Sequence, residues 1–141
     1  MAGDNTQTGH CLCGKVSVTA TLKNHNVDAC HCEICRRWSG GPMLAVACDG
    51  EPAFSGESHI GVFDSSDWAQ RGFCKECGTH LFYRLKEGGF YALPVGLLDS
   101  ADGWTLHAQV FIDEKPGFYA FSQRTAELTG AELFAQLDKS S

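Results

Sequence analysis

Three thiols lie within six residues at Cys30, Cys32 and Cys35, in a segment that reads CHCEIC. Thiols separated by one or two residues reach disulfide geometry only with strain, because a disulfide needs alpha carbons about 5.5 Å apart. A turn is sufficient, however, to direct three thiolates at one zinc ion with Zn–S distances of about 2.3 Å. Three protein ligands leave the fourth tetrahedral position for water or substrate. We therefore interpret this segment as a candidate reactive centre.

Four other cysteines form two pairs. Cys11 and Cys13 are a Cys-x-Cys pair, and Cys74 and Cys77 are a Cys-x-x-Cys pair followed by Gly78, as in a zinc knuckle. Four thiolates would complete a closed, structural zinc site, and the long segment between the pairs is no obstacle because loop-closure entropy grows slowly with length. We prefer this division to a site that mixes Cys11 or Cys13 with the triple, since such a site leaves part of the knuckle without a metal.

The remaining cysteine, Cys48, stands alone in an apolar run and is interpreted as a core residue. Reduced core cysteines are the alternative explanation for the whole set, because free cysteine is among the most buried residue types. The clustering of seven cysteines into three motifs argues against that alternative.

Charged and polar residues next to these cysteines have two possible roles. His10 and His31 adjoin candidate ligands, but neighbouring side chains on an extended segment point in opposite directions, so we expect structural roles for both. Arg36 and Arg37 are either a solvated surface pair or hold a carboxylate of an anionic ligand beside the thiolate site. Glu33, His31 and His80 are candidate acids or bases by position alone.

Composition limits the partners that the chain can have. The 141 residues predict a single domain, residues 1–141, which can bury a core without disulfides. The net charge of −6 and the absence of a basic block predict no nucleic-acid partner. Residues 1–9 are polar and predict no leader peptide, and the longest apolar run, residues 43–48, is far shorter than the ~18 residues of a membrane span. We expect a soluble, cytoplasmic protein with reduced thiols and no membrane partner.

The hydrophobic pattern predicts a mainly β domain with one short C-terminal helix. Alternating or continuous apolar runs indicate strands, and we expect residues 43–48 to be buried on both faces. Thr129 and Glu132 form a capping box ahead of Leu133, Phe134 and Leu137, and a helical turn at most follows Cys35. The predicted strands are residues 15–22, 43–48, 58–63, 67–73, 79–85, 90–98 and 106–112.

Four motifs together resemble the glutathione-dependent formaldehyde-activating enzyme family, also called the centromere protein V-like family. They read GHCLCG at residues 9–14, CHCEICRR at 30–37, FCKECGTHLF at 73–82 and GLLD at 96–99. The resemblance covers about residues 9–120. The chain departs from the best-known members in its shorter start and in reading KPGFY at residues 115–119, where many have Pro-Trp. We expect these ends to shape the substrate pocket.

The resemblance implies a single-domain, Mss4-like β-tent fold with zinc knuckles and two zinc ions per chain. It also implies carbon–sulfur lyase activity, the reversible joining of glutathione, or another small thiol, and formaldehyde to S-(hydroxymethyl)glutathione. The alternative is a non-catalytic zinc or thiol carrier, or a protein-interaction module, of the same fold. The structural zinc is implied at Cys11, Cys13, Cys74 and Cys77, and the catalytic zinc at Cys30, Cys32 and Cys35.

Overall fold

The computed structural model of the protein describes residues 5–140, with side chains as far as residue 136. Its contacts divide the chain into two compact units, and the expectation of a single domain stays a prediction. Unit 1 comprises the described residues up to His25 and Ala45–Trp104, and unit 2 comprises Asn26–Leu44 and the described residues from Thr105 onward.

The strands are β1 (Thr6–His10), β2 (Ser17–Thr21), β3 (Asn26–Cys30), β4 (Met43–Ala47), β5 (Ala53–Ser55), β6 (Ile60–Asp64), β7 (Ala69–Cys74), β8 (His80–Leu85), β9 (Tyr91–Pro94), β10 (Thr105–Val110) and β11 (Ala126–Leu128).

Unit 1 is built from antiparallel strands. One sheet has the order β1-β2-β5, and the strands β4, β9, β8, β7 and β6 pair in that order in a second group. Alternate residues of β2 point inward, as its period of two predicts, so that Val18 and Ala20 are buried. Leu22, Leu81 and Leu93 are the largest fully buried apolar side chains, and each contributes roughly 1.5–3 kcal/mol through its burial.

Two of the strand predictions need correction. β4 is not buried on both faces, because Leu44 is 36% exposed between buried and partly buried neighbours. The strand predicted for residues 90–98 ends at Pro94 and continues as a short 3₁₀ turn, Val95–Leu97. Proline has no N–H to donate to a sheet, which favours the end of the strand at that residue.

Unit 2 contains parallel strands and two helices. β10 lies between β3 and β11 and is parallel to both. Helix α1 (Glu33–Ser39) is longer than the predicted turn and begins before Cys35, because the Cys32 side chain caps its first turn and Gly40, with φ of 83°, ends it.

Helix α2 (Gly130–Ser140) confirms the predicted C-terminal helix. Its capping box is formed on both sides: the Thr129 N–H donates to Glu132 Oε1 at 2.8 Å, and the Glu132 N–H donates to Thr129 Oγ1 at 3.1 Å. The Phe134 ring lies 5.9 Å from the Phe111 ring, which holds the helix against the end of β10. The Leu137 side chain lies outside the described side chains.

Among residues 5–140, no helix has the length and apolar character needed to cross a membrane. The predicted cytoplasmic location stays a prediction.

Candidate metal centres

The two cysteine pairs of unit 1 meet in one cluster. The sulfur of Cys13 lies 3.6 Å from that of Cys11 and 3.7 Å from that of Cys74. A tetrahedral zinc ion with Zn–S bonds of about 2.3 Å separates its sulfurs by about 3.8 Å. All the ligand sulfurs of the cluster lie within 4.8 Å of one another. The donor set therefore fits zinc, and the members of the four-cysteine cluster are Cys11, Cys13, Cys74 and Cys77.

Two turns of the same construction position these sulfurs. In the first, the Gly14 N–H donates to the Cys11 carbonyl, and in the second, the Gly78 N–H donates to the Cys74 carbonyl, at 3.0 and 2.8 Å. Both glycines have a left-handed backbone, with φ of 81° and 80°, a conformation that glycine adopts without the steric cost of a Cβ. The glycines of the two knuckle motifs are therefore part of the geometry of the cluster.

Thr79 links the two turns. Its Oγ1 accepts the Leu12 N–H at 3.0 Å and lies 3.2 Å from the Cys77 sulfur, so its hydroxyl proton can point to that sulfur. The Thr79 side chain and then its backbone N–H lower the pKa of Cys77 well below its usual range. A thiolate is the form that binds a metal, so Thr79 prepares this ligand. The motif contains Thr79, but sequence reasoning assigned it no role.

The three cysteines of unit 2 form a separate cluster, with their sulfurs also within 4.8 Å of one another. Cys30 ends β3, Cys32 caps α1 and Cys35 is buried inside the helix. The Cys32 sulfur accepts the Cys35 N–H at 3.4 Å. Hydrogen bonds from the Cys30 and Cys35 thiols lower the pKa of Cys32, and the same contact with Cys32 raises the pKa of Cys30. Among the described side chains, no fourth Cys, His, Asp or Glu joins this three-cysteine cluster.

The histidines next to the ligands are engaged elsewhere. Both ring nitrogens of His31, which is fully buried, have protein partners, Gln109 and Tyr119, at 2.9 and 2.8 Å. His10 Nδ1 donates to the Cys11 carbonyl at 2.8 Å, and its Nε2 lies 3.7 Å from a carboxylate oxygen of Asp99. Neither residue belongs to the metal-ligand groups found among the described residues.

Arg36 and Arg37 lie on α1 and line a small groove of about 280 Å³ together with Glu33 and Phe118. Arg36 Nε donates to the His31 carbonyl at 2.9 Å, which orients the guanidinium. Arg37 forms an i,i+4 ion pair with Glu33 at 3.0 Å, and both side chains are largely exposed. Such a pair contributes only about 0.3–0.5 kcal/mol, so it can exchange for another anion at little cost.

The three acid–base candidates have different surroundings. Glu33 is paired with Arg37, and His31 is buried among hydrogen-bond partners. His80 lies in unit 1, where burial, followed by the nearby charge of Arg71, lowers its pKa. It lines an open groove of about 700 Å³ beside the four-cysteine cluster. Of the three, Glu33 is the candidate that lines the groove with Arg36.

The fold and the clusters define a mainly β protein with a group of four cysteines and a separate group of three that could each hold a metal ion. The family model described as glutathione-dependent formaldehyde-activating enzyme matches residues 6–114. The chain belongs to this family.

Two relatives and one solved structure illustrate the similarity. An uncharacterised lyase of Schizosaccharomyces pombe is 35% identical over 132 residues, which are 93% of this chain and 96% of the relative. A putative glutathione-dependent formaldehyde-activating enzyme of Podospora anserina is 32% identical over 126 residues, which are 83% of this chain but only 54% of that protein. A crystal structure of a Rhodobacter sphaeroides protein, at 21% identity, covers 67% of this chain and 90% of its own with a TM-score of 0.56. This likeness in fold confirms the predicted fold class, a mainly β domain of the β-tent type.

Proposed function

We propose that the protein is a zinc-dependent carbon–sulfur lyase that reversibly joins glutathione, or another small thiol, and formaldehyde to S-(hydroxymethyl)glutathione. The observation that supports this most directly is the three-cysteine cluster, which no fourth ligand residue completes among the described side chains. A structural site is normally closed by four protein ligands, whereas a catalytic site keeps one position open. The family and the name of the Podospora relative supply the thiol and the aldehyde.

The proposal assigns one zinc ion to each cluster. The four-cysteine cluster would hold a structural ion, since its sulfur spacing already matches a closed tetrahedron. Cys30, Cys32 and Cys35 would hold the catalytic ion, which supplies a position where a soft thiol binds as a thiolate.

Arg36 and Arg37 would hold a carboxylate of the thiol substrate. Both line the groove on α1, and the first is oriented through the His31 carbonyl. Arginine can bind a carboxylate through two parallel N–H donors, which fixes the direction of the ligand as well as its charge. Holding the substrate in this way brings the thiol and the aldehyde together.

Stepwise removal of metal tests the two-site assignment. A mild chelator should extract about one zinc ion per chain before the fold is lost, because three protein ligands hold zinc less tightly than four. Metal content and circular dichroism measured along a chelator titration report the two events separately. If all zinc leaves in a single step together with unfolding, the open site does not exist as described.

Exchange kinetics test the reaction itself. Glutathione and formaldehyde combine unaided, so we expect the protein to accelerate exchange between formaldehyde and S-(hydroxymethyl)glutathione above that background in both directions. Exchange NMR with and without the protein measures this excess. A protein that binds glutathione and shows no excess is a carrier, and a protein that does not bind glutathione has another substrate or none.

A further inference from the structure

Each polar group of His31 has a hydrogen-bond partner. The residue lies between two ligands, is fully buried, and its backbone N–H donates to the Val110 carbonyl at 3.1 Å. Its carbonyl accepts Arg36 Nε at 2.9 Å, so both backbone groups and both ring nitrogens have partners. The position of His31 therefore determines where the backbone places Cys30 and Cys32 on either side of it.

A chain of hydrogen bonds fixes the direction of every proton around the His31 ring. The Thr125 hydroxyl donates to the Ala126 carbonyl at 2.9 Å, so its oxygen accepts the Gln109 side-chain amide at 3.1 Å. The amide oxygen of Gln109 then faces His31 Nε2, which must be the protonated nitrogen of the neutral ring. His31 Nδ1 is left as an acceptor, and the Tyr119 hydroxyl donates to it at 2.8 Å.

Tyr119 is itself held in place by Lys115. The Lys115 ammonium donates to the carbonyls of Pro116 and Tyr119 and lies 5.0 Å from the centre of the Tyr119 ring. The Tyr119 ring also packs against His31, with ring centres 5.6 Å apart. The loop of residues 115–119 is thus a preformed support for the buried imidazole.

We propose that Tyr119 is a positioning residue for the open metal site, acting through His31 to keep Cys30 and Cys32 at the spacing that binds zinc. This inference rests on the proposed function, because it concerns the metal at the three-cysteine cluster. Removing the Tyr119 hydroxyl leaves a buried ring nitrogen of His31 without its donor, and the segment can regain a partner only by moving. Groups hydrogen-bonded directly to metal ligands typically contribute 10–100-fold in metal affinity, and Tyr119 acts one residue further from the metal, so the lower end of that range, about tenfold, applies. We expect a loss of that size at the three-cysteine cluster and none at the four-cysteine cluster.

The test compares Tyr119→Phe with Tyr91→Phe in the full chain. Tyr91 is a control for the loss of a hydrogen-bonded tyrosine hydroxyl, because its oxygen accepts a hydrogen bond from Arg84 at 3.1 Å, but it lies in unit 1. Zinc affinities are measured by competition with a chromophoric chelator, and Co²⁺ is added as a spectroscopic probe of thiolate ligation. For Tyr119→Phe, we expect the weaker site to lose about tenfold in affinity and its Co²⁺–thiolate charge-transfer band to change, while the affinity of the tighter site stays unchanged.

A Tyr119→Phe protein that binds both metals within threefold of the wild type overturns the inference alone. Equal loss at both sites, or a similar loss in Tyr91→Phe, also overturns it, because the effect would then be general destabilisation. A wild-type protein that takes up metal at one cluster only overturns the proposed function and the inference with it. The ¹⁵N spectrum of the His31 ring adds a readout independent of metal: we expect Nε2 protonated and Nδ1 not, and the opposite tautomer contradicts the hydrogen-bond chain.

Discussion

Replacing Cys74 with serine should leave the protein unfolded or aggregated and without its structural zinc. Cys74 is fully buried at the end of β7, and its sulfur lies 3.7 Å from that of Cys13. Structural zinc binding contributes about 10–16 kcal/mol in small zinc domains, which equals or exceeds the total stability of about 5–15 kcal/mol of an ordinary domain. Circular dichroism and metal analysis of the purified Cys74→Ser protein measure both effects.

Cys48→Ser is the control for this experiment. Cys48 is buried, belongs to neither cluster, and its burial raises the pKa of its thiol to about 11. The substitution makes the same chemical change in a buried setting and should cost only about 1–3 kcal/mol for the buried hydroxyl, with metal content unchanged. A folded, soluble Cys74→Ser protein with its full metal content would rule out the structural site.

Cys32→Ser should abolish the acceleration of formaldehyde exchange above the uncatalysed background, while the fold remains. The substitution removes one of three metal ligands, so the open metal and the binding of glutathione should both be lost, and the exchange rate should fall to the uncatalysed background. Serine is also a preferred residue at a helix N-cap. The new hydroxyl can therefore accept the Cys35 N–H that the Cys32 sulfur accepts, and α1 keeps its cap.

The measurements are metal content, glutathione binding and exchange rate on the same preparation. Cys32→Ser should contain about one zinc ion fewer per chain than Cys48→Ser and give the same circular dichroism spectrum. If Cys32→Ser retains the excess exchange rate, the three-cysteine cluster is not the reactive centre, whatever its metal content.

The features predicted correctly from sequence are those that depend on local spacing. The capping box at Thr129 and Glu132 forms because its two partners are three residues apart, and the inward residues of β2 follow from its period. The end of β9 at Pro94 and the full extent of α1 were missed. Predicting the end of β9 required the recognition that Pro94 has no N–H to donate to the sheet. Predicting the extent of α1 required the recognition that Cys32 is its N-cap.

The clusters were predicted because cysteine spacing limits which sulfurs can meet. Their supporting residues were not, since Gln109 and Tyr119 lie 78 and 88 positions from His31 and belong to no motif. The parallel pairing of β3 with β10 brings Gln109 to that position, and a parallel register between distant strands has no local signal in the chain. The grouping of the cysteines was therefore predictable from the sequence, but the residues that orient them were not.

The spacing of the cysteines along the chain also favours an order in which the two proposed zinc sites would form. The sulfurs of the three-cysteine cluster come from six consecutive residues. In the four-cysteine cluster, the contact between Cys13 and Cys74 joins residues that are 61 positions apart. Loop closure over that separation costs about 2 kcal/mol more entropy than closure within the short segment. An unfolded or newly synthesised chain can therefore bind metal first at the three-cysteine cluster, which we propose as the catalytic site. In the two-site proposal, the four-cysteine cluster can bind its ion only after folding has brought Cys13 and Cys74 together, so this ion would be bound late.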